Sequence, residues 1–522
     1  MHDILIRGGL VVDGNRGPER ADVAVSGGRI EAVGRGLGAA GTVVDASGGV
    51  VAPGFVDIHT HSDFTLPLRP RAEAKLLQGV TTDVTGNCGF SPFPLASDQP
   101  ALRHGSFVDS ALADRWPSLD AFAEDLESRG LGINVAPLVG LGAVRLAVLG
   151  EEDVRADSWA LDEMRRLVRE SLAAGAYGAS SGLVYAPSCF ADVDELATLA
   201  SVVAEAGGVY ATHMRNEGDH LLESVDEALE VGRRANCALQ ISHLKALGRR
   251  NWGRIGAALE RIEEASHDGV DVWVDVYPYT AGSSTLISLL PSDELAAGGS
   301  ALQARLADVG ERRRLMGLLG DAPTFDLVDV VLATVPSRPE LAGRRLADAA
   351  RDAGVAPAEL VLDLIAREGP DVSMVAFGMD EEDVRRVLVH PRAVIGSDGW
   401  TMAIDSAGYA HPRSFAFAVR LLAHYVRDDA LIGLREAIAK LSTLPARRIG
   451  LADRGVIEPG AVADVVVFDL ERLSEESTFE TPLLHPHGIQ AVLVSGRLAV
   501  EDGRETGAAA GRVLRHRVNG RG

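Results

Sequence analysis

Along most of its length the chain alternates between two hydrophobic periodicities. Short apolar runs are followed by stretches whose apolar residues recur every three or four positions, such as SWALDEMRRLVRESLAAG and DELATLASVVAEAG. The first pattern fits a strand and the second an amphipathic helix. Their alternation predicts βα units and a parallel sheet. The strand candidates, in order, are GFVDIHTH, TTDVTGNCG, INVAPLVG, AYGASSGL, GVYATHM, ALQISHL, DVWVDVYPY and AVIGSDG. That number of units, spread over about 350–400 residues, predicts an α/β fold, a TIM-like (β/α)8 barrel with insertions. Two further apolar runs, DLVDVVLAT and VSMVAFGM, precede the last strand candidate. With the stretch from Ser288 they predict an inserted subdomain at about 288–375.

The two ends have a different rhythm. ILIRGGLVVDG and ADVAVSGGRIEAVG near the start, and ADVVVFDLERL and AVLVSGRLAVEDG near the end, alternate apolar and polar positions around glycine turns. They predict a small β-sandwich built from residues 1–52 plus 453–510, with the barrel occupying 53–452. Two separate hairpin caps are the alternative.

Composition narrows the function classes. Of 522 residues, 46% are hydrophobic and 24% charged, and the net charge is −23 with no basic block. That balance argues against nucleic acid or an anionic membrane as partner and leaves a small molecule as the expected substrate. The three cysteines, Cys88, Cys189 and Cys237, give no disulfide framework and fit a reducing compartment. The first residues lack a basic and apolar leader, and no apolar run approaches the ~20 residues of a membrane span, so a cytoplasmic protein is expected. Oligomeric state is not legible.

The candidate chemistry sits where the strand candidates end. His59 and His61, in GFVDIHTHSDF, share a face if the strand continues, because side chains alternate. The second candidate ends in Cys88, the fifth in His213, the sixth in His243 and the eighth in Asp398. Each alone reads as a capping or packed residue. In a barrel, however, the C-terminal ends of the strands meet at one mouth, where the six side chains would form a metal site. Imidazole, thiolate and carboxylate together suit zinc, and the cation would keep Cys88 deprotonated. Cys237 reads as packing, and Cys189, on a loop after the fourth strand candidate, as structural.

These residues carry a resemblance. PGFVDIHTHSD, QGVTTDVTGNCGFSP, SSGLVYAP, GGVYATHMRNEG, ISHLKALGRRNWG, DVYPYTAGS, HPRSF and LPARRIGLADRGVIEPGAVADVVVFD resemble the amidohydrolase superfamily and, within it, the N-acyl-D-amino-acid deacylases, or D-aminoacylases. The likeness covers nearly the whole chain, most specifically in GNCGF, HMRNE and SHLKA. Many amidohydrolases bridge two metals through a carboxylated lysine on the fourth strand. AYGASSGL has no lysine, and the resemblance implies that Cys88 takes its place. It implies one tightly bound zinc on Cys88, His213 and His243, with a weaker second site on His59, His61 and Asp398. The implied activity is hydrolysis of the amide of N-acyl-D-amino acids to a carboxylate and a free D-amino acid. Asp398 would act as base and acid, as ligand, or as both.

Such a substrate has a free carboxylate, and the resemblance assigns its recognition to Lys245 and Arg413, with Arg215 a further candidate. Tyr185 and Tyr279 are expected at the pocket wall, and Ser283 or Ser284 in contact with substrate. A cyclic-amide hydrolase of the hydantoinase or dihydroorotase kind, or a D-dipeptidase, is the alternative on the same scaffold. A metal-free scaffold would lack the ligand set. Chirality follows from the resemblance alone.

Overall fold

The computed structural model describes residues 1–95, 116–291, 294, 298–321 and 326–517. Strands from both ends of the chain hydrogen-bond into one nine-stranded network. The seam is antiparallel, between Val50–Pro53 and Val465–Phe468, with Val51 opposite Val467. All four residues of Val465–Phe468 are buried, and period two explains why. Val465 and Val467 face a core shared with Ile6, Val23, Val51 and Leu493. Val466 and Phe468 face the other way, into the main core of the molecule, with Val50 and Ala52. The terminal sheet is therefore anchored to the rest of the chain by its central strands.

The remaining parallel strands close into a barrel. They are β1 (Phe55–Asp57), β2 (Val80–Thr85), β3 (Asn134–Pro137, continued by Val139–Gly140), β4 (Gly178–Gly182), β5 (Val209–His213), β6 (Ala238–Ile241), β7 (Val272–Val276) and β8 (Ala393–Ile395). β1 pairs with β2 and β2 with the first part of β3, while the second part of β3 pairs with β4. From β4 onward each strand lies parallel to the next, through β8. A parallel bridge between Thr60 and Gly399, and a 2.8 Å bond from Asp398 N–H to the His59 carbonyl, close the ring just beyond β8 and β1. Every strand candidate of the sequence is thus a barrel strand.

The helices outside follow from simple patterns. Ser158–Ala173 begins on Asp157, whose carboxylate accepts from Ala160 N–H, and buries Ala160, Met164, Val168 and Leu172 along one face. Among the described residues no helix is long and apolar enough to cross a membrane.

Between β7 and β8 a second antiparallel sheet rises over the barrel mouth. Its strands are Gly282–Thr285, Ser373–Ala376 and Val330–Thr334, in that spatial order. The two late apolar runs supply two of these strands. The third, GSST, has too few apolar residues to read as a strand in sequence.

Candidate active site

Only one of the six candidate donors lies inside a strand. His213 ends β5, whereas His59, His61, Cys88, His243 and Asp398 stand on the turns that follow β1, β2, β6 and β8. Strand alternation is therefore not what aims His59 and His61 together. Three of these turns are bent hard. Cys88, His243 and Asp398 have φ of +54°, +35° and +50°, a region non-glycine residues rarely occupy. Such strain persists only where surrounding structure fixes it, and it concentrates at functional sites. The turn around Cys88 also depends on close backbone approach. A Cβ on Gly182 would lie 2.0 Å from the Cys88 carbonyl oxygen, and one on Gly89 would lie 2.8 Å from Gly182 N. Glycines in GNCGF and SSGL thus let the β2 turn touch β4.

The six side chains meet as two overlapping groups. Donor atoms of His59, His61, Cys88 and Asp398 lie within 4.8 Å of one another, and so do those of Cys88, His213 and His243. Cys88 belongs to both, its Sγ 3.3 Å from His59 Nε2 and 3.5 Å from His243 Nε2. Asp398 Oδ1 stands 3.0 Å from His61 Nε2 and 3.5 Å from His59 Nε2. All are buried.

The electrostatics fit a cation. Burial pushes the pKa of His213 and His243 well below the ordinary range, so both keep a neutral ring with a lone pair to offer. His213 Nδ1 is buried without a hydrogen-bond partner among the described residues. Burial pushes the Cys88 thiol up to about 11, His59 opposing, so a thiolate there needs a positive ion beside it. Burial would raise Asp398 too, but Arg413 and His243 outweigh it and hold the carboxyl well below the usual range. Soft sulfur, imidazole and carboxylate converging in one buried site match a zinc donor set.

Two carboxylates that the sequence does not single out orient these donors. Asp275, inside β7, sits 3.0 Å from His59 Nδ1 and accepts from His243 N–H at 2.8 Å. It steers the His59 Nε2 face toward Cys88, as outer-shell carboxylates do. Glu217 accepts from Lys245 Nζ at 2.6 Å, lies 2.9 Å from His243 Nδ1, and its other oxygen is 3.6 Å from His213 Nε2. Its position four residues after His213, in HMRNE, is the available sequence signal. Asp275 carries none, since an acidic residue in DVWVDV reads like any polar interruption of a strand.

An open pocket, with a cavity volume of about 120 Å³, leads to this cluster, and Cys88, His213, His243 and Asp398 line it. Of the expected substrate residues, Lys245, Tyr185 and Ser284 also line it, with Ser283, and the Tyr185 hydroxyl is 3.4 Å from Ser284 Oγ. Arg413 stands behind Asp398, its Nη1 2.7 Å from Oδ2 and its guanidinium 4.8 Å above the Tyr277 ring. Tyr279 is a correction. It packs against His411 and Phe479, with Arg420 over its ring, and of the VYPY pair it is Tyr277 that joins Tyr185 at the pocket wall. Arg215 lines the pocket too, but most of its N–H groups are engaged by Glu227 and the carbonyls of Cys189 and Ala191. Cys237 is buried packing, as expected.

Known proteins share this frame. A relative from Alcaligenes xylosoxydans xylosoxydans, named N-acyl-D-glutamate deacylase, is 38% identical over 98% of this chain and 96% of its own. The crystal structure of the N-acyl-D-glutamate deacylase from Bordetella bronchiseptica, complexed with zinc and a phosphonate mimic of the reaction's tetrahedral intermediate, superposes with a TM-score of 0.83. Its identity is 34%, over 98% of this chain and 99% of that one. A D-aminoacylase structure concerned with one-metal activation and second-metal attenuation of a binuclear center reaches a TM-score of 0.85 at 34% identity, over 99% of this chain and 100% of that one. The amidohydrolase family model matches residues 42–500, and with relatives this similar along almost its whole length, the chain belongs to the amidohydrolase family, in the branch of the N-acyl-D-amino-acid deacylases.

Proposed function

We propose that the protein is a zinc-dependent deacylase that hydrolyses the amide bond of N-acyl-D-amino acids to a carboxylate and a free D-amino acid. The observation that carries this reading is Cys88, the one residue common to two donor groups at the mouth of an amidohydrolase barrel. The relatives named above, an N-acyl-D-glutamate deacylase and a D-aminoacylase, support the substrate class. β4 offers Ser180 and Ser181 and no lysine, which weighs against a cyclic-amide hydrolase built on a carboxylated lysine.

In this reading Cys88, His213 and His243 hold the tight zinc, and His59, His61 and Asp398 form a weaker second site. A zinc ion held there supplies Lewis acidity, making water acidic enough to attack near neutral pH and drawing charge from an amide carbonyl oxygen. Asp398 accepts the proton of the attacking water and delivers it to the departing amine nitrogen, which leaves poorly without it. Arg413, paired to Oδ2, keeps that carboxylate ionised and turned toward the pocket. Lys245, charged through Glu217 despite its burial, is the seat for the substrate carboxylate. Tyr185 and Ser284 border the same space and contact the substrate. The terminal sheet and the sheet over the mouth serve as scaffold and roof.

Amine release by zinc-loaded protein from paired N-acetyl-D and N-acetyl-L amino acids tests the proposal. Release confined to the D series is expected. Release from the L series alone, or from neither, overturns it.

A further inference from the structure

One part of the substrate has no seat in the reaction above: the side chain on the α-carbon. The pocket beside the donor atoms is walled by Val184, Met214, Leu247, Leu290, Met374 and Ala376. Two Lys or Arg side chains line it among the described residues, Arg215 and Lys245. Arg215 is spent. Its Nε and Nη2 bind Glu227 at 2.9–3.1 Å, and its Nη1 and Nη2 bind main-chain carbonyls at 2.6 and 2.8 Å. Lys245, itself paired with Glu217 and bonded to the His243 carbonyl, is assigned to the α-carboxylate that every N-acyl amino acid carries. The roof contributes Gly282, Ser283, Ser284, Ser288, Leu290 and Pro291, and no Lys or Arg occurs anywhere from residue 262 to residue 304.

We propose that the protein takes N-acyl-D-amino acids with neutral, apolar side chains of the size of leucine or methionine, and discriminates against those with a second carboxylate. The inference rests on the deacylase reading and sets this chain apart from its N-acyl-D-glutamate deacylase relative. The cause is desolvation. A carboxylate moved from water onto this wall would lose its hydration and meet only cations already paired with a carboxylate, whereas an alkyl or thioether side chain gains by leaving water. The two methionines let the wall adapt to side chains of differing shape.

The test compares kcat/KM of zinc-loaded enzyme for N-acetyl-D-leucine, N-acetyl-D-methionine, N-acetyl-D-glutamate and N-acetyl-D-aspartate. An advantage of at least about 100-fold for the apolar pair is expected. Acidic substrates turned over as fast as the apolar ones would overturn the inference. Ser288→Arg, which adds a guanidinium at the half-buried roof, should narrow the leucine-to-glutamate ratio by at least about tenfold. An unchanged ratio refutes the placement of the side chain there. Should no N-acyl-D-amino acid be hydrolysed, the deacylase reading falls, and calorimetric binding of N-acetyl-D-leucine against N-acetyl-D-glutamate judges the wall alone. Tighter binding of the leucine compound upholds it. Equal or weaker binding, or none, overturns it.

Discussion

Replacing Glu217 by Gln removes one charge and almost no volume, which makes it a sharp probe of the pocket. Glu217 is buried, 2.6 Å from Lys245 Nζ and 2.9 Å from His243 Nδ1. Burial pulls the pKa of Lys245 down, and Glu217, the largest opposing influence, brings it back above its ordinary value. At 2.6 Å and an effective dielectric of about 20, the Coulomb energy of the pair is about 6 kcal/mol. Desolvation cancels part of that, and breaking a buried pair from one side typically costs about 3–5 kcal/mol. E217Q should lose an amount of that order, because Lys245 is then a buried cation without its anion. Adding Lys245→Met removes the stranded charge, so E217Q/K245M should recover much of the loss. Urea unfolding of the parent, both single variants and the double variant closes a double-mutant cycle, with a coupling energy of about 2–3 kcal/mol expected. Both single variants should also raise KM for substrates with a free carboxylate. A double variant no more stable than E217Q, with coupling near zero, would refute the assignment of Glu217 as the counter-ion that holds Lys245.

Other outcomes are equally open to measurement. Cys88→Ala should lose most bound zinc in elemental analysis, and a parent-like metal content would remove the cysteine from the ligand set. Asp398→Asn should keep the zinc held by Cys88, His213 and His243 while lowering kcat by about 10²–10⁴-fold, and a near-parent kcat would exclude a proton-transfer role. Asp83 offers a test by pH. Burial raises its pKa to about 7, Asp57 adding to the effect and Lys75 opposing it. Its unfolded value is about 3.9, so stability is lost progressively between those two values as pH rises. Asp83→Asn, neutral at every pH, should therefore stabilise the protein at pH 8 and change little at pH 4. An equal effect at both would contradict the sign.

Much of the site is legible in the chain because the barrel is a repetitive object. Each unit writes the same apolar run and ends at the same mouth, so His59, His61, Cys88, His213, His243 and Asp398 are found by position as much as by type. Side chains whose role comes from a neighbour are harder to read. Glu217 and Asp275 look like ordinary polar residues until His243 and His59 are folded against them. Tyr277 and Tyr279 occupy one VYPY segment, and nothing local says which turns to the pocket. Arg215 matches Lys245 in spacing from a histidine, but its guanidinium is claimed by Glu227, a residue on the following helix.

What the sequence by itself determined was the order and type of the barrel strands, the donor set and the likeness to a family. These depend on period, length and residue chemistry, all of which are local. Tertiary structure decided the rest. It bent Cys88, His243 and Asp398 into positive φ, joined two donor groups through one sulfur, and set Glu217 under Lys245. It also brought Gly282–Thr285 up as a roof strand by pairing it with Ser373–Ala376, some ninety residues away in the chain. Those features arise from contacts between segments far apart in sequence, whose energies exist only once the barrel has closed.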